Sequence, residues 1–153
     1  MSERRWDSGM LDLAGFGFFL ISVGAAFVAV PDIVYRVADF FGDFKLIELA
    51  PNFYLPGPEG SHPQVYYALF VFFLVFGILH AALLVGRFYW RDRPRKKASA
   101  FGSIIFLLGA AYASNLLLTE SITWFNFVGL FLIFVGVSMV IENLIVLAAT
   151  KQK

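Results

Sequence analysis

The chain has 153 residues, 59% of them hydrophobic and only 15% charged, with a mean hydropathy of +0.76 and a formal net charge of +1. A soluble domain of this size carries about a quarter charged residues, and here the charges are bunched between apolar runs, so a soluble core is excluded. There is no cysteine, which excludes disulfides, thiolate metal sites and cysteine catalysis.

Met1 to Met10 is short, polar and basic. Residues 13–30 form the first expected span, roughly 27 Å of helix, and Pro31-Asp32 ends it. Arg4, Arg5 and a following Ala-Phe-Val-Ala imitate a secretion signal, but the apolar run is longer than a signal core and is read as a retained span. In residues 32–49, Ile33, Val37, Phe40, Phe44 and Ile47 recur at helical spacing, with Arg36, Asp39, Asp43 and Glu48 on other faces. That pattern predicts an amphipathic helix, too polar to span and laid flat on the membrane surface. The alternative is a cap packed on the span ends.

Ala50 to Pro63 holds four prolines and two glycines and is expected to be irregular, with Phe53, Tyr54 and Leu55 folding it back onto lipid or protein. Residues 65–86 are the second span. Arg87 to Lys97 is a basic turn with Pro94 as a helix stop. Residues 98–118 are the third span. Thr119 to Thr123 is a tight connection in which Ser121 or Thr123 caps the next helix. Residues 125–149 are the fourth span. The expected fold class is therefore an all-α integral membrane protein, one four-span domain over 1–153 made of two hairpins, with an amphipathic helix on its outer face.

Orientation follows from lysine and arginine placement. With both termini inside, the inner segments hold ten of these residues and the outer segments only Arg36 and Lys45. That bias puts both termini in the cytoplasm and the chain in the cell membrane as a multi-pass protein. Trp6, Tyr89 and Trp90 fall at the inner boundary, and Tyr66, Tyr67 and Trp124 at the outer one, where amphipathic rings anchor.

The first and third spans share a pattern: Phe16-Gly17 and Gly24-Ala-Ala-Phe27 against Phe101-Gly102 and Gly109-Ala-Ala-Tyr112. The second and fourth share Phe-Leu-Val-Phe (73–76) and Phe-Leu-Ile-Phe (131–134). Either one hairpin has been duplicated in tandem, or apolar helices look alike by chance. The pairs Gly17/Gly24 and Gly102/Gly109, and the stripe Gly129, Gly136 and Asn143, each lie on one helix face and let a neighbouring backbone approach. Phenylalanines 70, 72, 73, 131 and 134 exceed what a four-helix interior needs, so some are expected to meet lipid or another subunit.

Ionisable residues inside the spans are the strongest functional lead, because a lipid-facing charge costs at least about 2.5 kcal/mol. The buried polar candidates are Asp12, His80, Glu142 and Asn143. Asp12, His80 and Glu142 fall at similar depth, roughly 9–12 Å inside the inner span ends, so His80 is expected to point into the bundle and pair with Glu142, directly or through water. The bland reading is packing glue. Arg87, Arg91, Arg93, Arg95, Lys96 and Lys97 are candidates for contact with lipid headgroups; setting topology is their minimal role.

A single intramembrane histidine argues against a two-histidine haem site. Zinc, P-loop, dinucleotide and nucleophile-elbow motifs are absent from the sequence. No catalytic residue, metal, cofactor or nucleic-acid partner is therefore expected. The expected function is a scaffold or accessory subunit that forms a homo-oligomer or joins a larger membrane complex, with membrane lipid around it. The alternative is a small transporter or proton-conducting protein using Asp12, His80 and Glu142. An enzyme acting on lipid or quinone is a third, weaker reading.

Overall fold

Four long helices lie side by side, and the chain turns back on itself at each connection. The computed structural model describes residues 3–89 and 94–151, with side chains described at 13–89 and 94–150. In chain order the elements are α1 (Glu3–Ala29), α2 (Ile33–Gly42), β1 (Phe44–Ala50), β2 (Phe53–Pro58), α3 (Pro63–Tyr89), α4 (Pro94–Leu118) and α5 (Trp124–Lys151). α4 packs most extensively, against α3 on one side and α5 on the other, while α1 packs on the far side of α3. α2, the hairpin β1–β2 and the α4–α5 turn lie together at one end, hereafter the hairpin end. The end of α3 and the start of α4 lie at the other.

Three helices, α3, α4 and α5, are long and apolar enough to cross a membrane. The described apolar part of α1, Leu13–Ala29, is shorter and continues into α2 only through an 86° bend. The bend falls at Pro31-Asp32, where Asp32 takes a left-handed conformation (φ 57°). Proline cannot continue the α1 hydrogen-bond ladder, and aspartate tolerates this region better than most residues. Four membrane crossings are thus not shown by length and composition alone.

Helix starts follow proline. Pro63 and Pro94 each open a helix, where the missing N–H has no partner to lose. Pro94 is therefore not a helix stop: it begins α4, so Arg95, Lys96 and Lys97 lie in a helical first turn rather than a loop. In the α4–α5 turn Glu120 is left-handed (φ 54°) and the Ser121 N–H returns to the Leu116 carbonyl at 2.9 Å. Thr123, not Ser121, caps α5: its Oγ1 accepts the Asn126 N–H at 3.4 Å.

The region 32–63 departs most from expectation. Helix holds only over Ile33–Gly42, with Ile33 and Phe40 buried. Residues 44–50 form a strand paired antiparallel with residues 53–58, Phe44 opposite Pro58 and Ile47 opposite Leu55. The fold is therefore mostly helical with one two-stranded hairpin, and residues 53–58 of the proline-rich stretch form a strand where irregular chain was expected. Phe40, Phe44 and Ile47 fit a helix repeat, but Asp43 ends the helix. Its backbone carbonyl accepts the Glu59 N–H at 3.3 Å and its carboxylate accepts the Gly60 N–H at 2.6 Å. Those tertiary bonds outweigh local propensity. A two-strand ribbon consists of edges only, so Pro56 and Pro58 are tolerated in β2. Pro51-Asn52 makes the two-residue turn, with Asn52 left-handed (φ 62°), as a tight turn with proline first and asparagine second requires.

The core sits at the hairpin end. Phe40 meets Phe44, His62, Tyr66 and Trp124 edge-to-face at centroid distances of 5.1–6.2 Å. Such pairs add about 0.5–1.5 kcal/mol each beyond the area they bury. Lower down, Phe73, Phe106 and Phe131 join α3, α4 and α5, and Phe72 contacts Phe19 of α1. Phe72, Phe73, Phe106 and Phe131 pack within the chain on one side and stay half-buried.

Candidate functional site

The glycine stripes separate into two kinds. A Cβ on Gly102 would sit 3.1 Å from the Ser138 carbonyl oxygen and 3.4 Å from Glu142 Cβ, and one on Gly109 would come within 2.4 Å of the Phe134 ring. Glycine at these two positions is what lets α5 lie close on α4. Gly17, Gly24, Gly129 and Gly136 have nothing within 4 Å of such a Cβ. The likeness between the first and third spans is therefore not repeated in packing. α1 meets its neighbours instead through Ala26, Val30 and the fully buried Ser22, whose hydroxyl donates to its own helix at Phe18 O, 2.7 Å away.

His80 and Glu142 are not brought into contact. The His80 ring contacts Phe76 edge-to-face at 4.4 Å, and its Nδ1 donates to the Phe76 carbonyl at 3.1 Å. A carbonyl can only accept, so Nδ1 carries the hydrogen and Nε2 is left for another partner. Glu142 lies against Gly102. Among the described residues no ion pair joins it to His80, and the expected direct pair is not formed. The two groups share a depth but meet different faces of α4. Asp12 lies within α1, but its side chain is outside the described residues. Asn143 is exposed on α5, where its amide donates to the Met139 carbonyl at 2.8 Å.

His80 lines a cleft of about 350 Å³ between α1, α3 and α4, together with Arg87, Lys96, Ser99, Ser103 and Gly15. Arg87, in the last turn of α3, is only 8% exposed. Of the other headgroup candidates, Arg95 is exposed, Lys97 lies 4.6 Å over the Phe88 ring, and Arg91 and Arg93 lie outside the described residues. Gly15, Leu83, Ser99, Ala100 and Ser103 are lining residues that the sequence does not single out. Their signal is the spacing Lys96, Ser99, Ser103, one face of a helix opposite His80 and Arg87 two turns apart.

A second polar cluster was not expected. His62, at the start of α3, places Nε2 3.0 Å from Asp43 Oδ2 and Nδ1 3.8 Å from Asp39 Oδ2. The Gly60 N–H, then the His62 ring, hold the Asp43 carboxyl below its ordinary value. Ser61 donates to Glu120 at 3.1 Å, and Lys45 pairs with Glu59. Together these bonds clasp the hairpin to α2 and to the α4–α5 turn. Among the described residues no group of three or more His, Asp or Glu side chains is placed to hold a metal ion.

Comparison with known proteins gives no match: no family profile, curated protein or solved structure aligns with this chain.

Proposed function

We propose that this chain is a multi-pass membrane protein in which α1, α3, α4 and α5 all cross the bilayer. Both termini and the α3–α4 turn would face the cytoplasm. It acts as a scaffold or accessory subunit, associating laterally through α5 in a homo-oligomer or a larger membrane complex. The ten-to-two lysine and arginine bias supports the orientation.

The outward face of α5 carries the functional reading. Gly129, Gly136 and Asn143, at seven-residue spacing, run down its centre, all exposed. Leu132, Ile133, Met139, Val140 and Leu144 flank them, each more than half exposed. Lipid can cover the aliphatic residues at no cost. It cannot satisfy the rest of the Asn143 amide, and a partner helix can. Small residues at 129 and 136 let such a helix approach. A relay through Asp12, His80 and Glu142 is not proposed, because His80 and Glu142 meet different faces of α4.

A photoreactive side chain at Val140, activated in native membranes, tests this reading. Adducts to protein are expected, either a second copy or another subunit. Adducts to lipid alone would refute association through α5.

A further inference from the structure

We propose that the pocket between α2 and the start of α3 binds the zwitterionic headgroup of a phospholipid that carries a primary ammonium. It lies at the hairpin end. It depends neither on the assembly proposed above nor on which side of the membrane the termini face.

Arg36 lines a pocket of about 280 Å³ together with Asp39, Ser61, His62 and Gln64. Its guanidinium has no hydrogen bond or ion pair among the described residues, and its Nε is shielded from solvent without an acceptor. A charged donor left in that state is costly, and an anion on its remaining N–H groups offsets the cost. Asp39 stands beside it, three residues on along α2 and so about 5–6 Å away at Cβ, yet no ion pair joins the two. The Asp39 carboxylate lies 3.8 Å from His62 Nδ1, beyond hydrogen-bond length, while the other ring nitrogen sits 3.0 Å from Asp43. A guanidinium fits phosphate oxygens and a carboxylate fits an ammonium. Opposite charges side by side match a ligand that carries both, whereas Asp39 repels a simple anion. The exposed Gln64 amide has no partner among the described residues and offers both a donor and an acceptor. Ser61 Oγ donates to Glu120 and keeps its lone pairs for an ammonium hydrogen.

Position selects a lipid over a soluble zwitterion of the same chemistry. α3 begins at Pro63 and is long and apolar enough to cross a membrane. Pro63, Gln64 and Val65 border the pocket, which places it at the headgroup end of that span. The 86° bend after α1 turns α2 across the helix ends, along the membrane surface. Val34, Tyr35 and Phe41 of α2 are 65–69% exposed, apolar surface beside Arg36 that acyl chains cover. The volume lies just under the roughly 300–1,000 Å³ common for small-molecule sites, the size of a headgroup and not of a whole lipid.

The test uses the full-length protein in mild detergent. Native mass spectrometry reads retention from an equimolar mixture of phosphatidylethanolamine, phosphatidylcholine and phosphatidylglycerol. Phosphatidylethanolamine should be retained over both, since phosphatidylcholine has no ammonium N–H and phosphatidylglycerol has no cation for Asp39. Arg36→Gln should lower that preference about tenfold, the loss of one charge-assisted hydrogen bond. Asp39→Asn should turn the preference toward phosphatidylglycerol, because the group that repels an anion is gone. Lys45→Gln, an exposed charge at the same end but outside the lining, should leave it unchanged. The preference is a ratio within one folded population, so a loss of stability alone does not move it. The proposal is overturned if the three lipids are retained equally, or if Asp39→Asn still prefers phosphatidylethanolamine. It is equally overturned if Lys45→Gln costs as much as Arg36→Gln, since the binding would then be general surface charge. Glycerophosphoethanolamine that raises the Tm of the delipidated protein while no lipid is preferred would assign the pocket to a soluble zwitterion and overturn the lipid reading.

Discussion

Gly109 of α4 lies beneath the ring of Phe134 on α5, so close that a Cβ would come within 2.4 Å of the ring. Gly136, half a turn further along α5, has nothing within 4 Å. One glycine is explained by packing within the chain; the other is left without an internal reason. This contrast underlies the proposal that α5 has a second neighbour.

Gly109→Ala should destabilise the isolated protein by about 1–3 kcal/mol, the usual cost of overpacking a closed contact. Gly77→Ala should cost less. The nearest atom there is Leu108 Cδ2 at 2.7 Å, the end of a flexible side chain that can swing away. Gly136→Ala should not lower the stability of the isolated chain. Thermal unfolding of the three variants in one detergent checks the order. Equal losses at positions 109 and 136 would mean that α5 is packed differently.

The clasp at the hairpin end should resist acid. Asp43 is held below the ordinary aspartate value of 3.8 by the Gly60 N–H and His62. A carboxyl with a lowered folded-state pKa contributes fully above its unfolded value and loses that contribution as pH falls through the folded one. The hairpin should therefore stay closed at mildly acidic pH and loosen only below the usual carboxylate range. Asp43→Asn should weaken it at neutral pH and remove this part of the acid dependence. Fluorescence of Trp124, which packs on Phe40 and Phe44, reports the change once Trp6 and Trp90 are replaced by phenylalanine. An unaltered acid transition in Asp43→Asn would rule the clasp out as its origin.

Topology can be read directly because the chain has no cysteine. A single cysteine at Ser61 should react with an impermeant reagent from outside intact cells. One at Arg95 should react only after permeabilisation. Labelling at position 95 from outside would reverse the orientation.

Much of the helical frame was legible from residues alone. α3, α4 and α5 announce themselves by apolar length, and their starts at Pro63 and Trp124 fall within two residues of the expected ones. α4 starts four residues before its apolar run, because Pro94 opens a helix here and does not stop one. The hairpin was hidden because Phe40, Phe44 and Ile47 satisfy a helix repeat. What overrides them is a carboxylate at Asp43 reaching an N–H seventeen residues away, which no local pattern contains. Depth along a helix also proved easier to read than direction around it. His80 and Glu142 were placed at one level, but their rotation depends on how α4 sits between α3 and α5. The same limit separated Arg87 and Lys96, visible as charges, from Ser99, Ser103 and Gly15, which matter only once the helices meet.

The mass of the assembly extracted from native membranes tests the central claim most directly. The full chain would be solubilised in several mild detergents and in lipid discs, beside Gly136→Leu, which places a branched side chain at the centre of the open α5 face. The account predicts a particle heavier than a monomer for the parent chain, and its loss in Gly136→Leu with the helical content retained. A parent chain that is monomeric in every condition, or a Gly136→Leu assembly of unchanged mass, would contradict it.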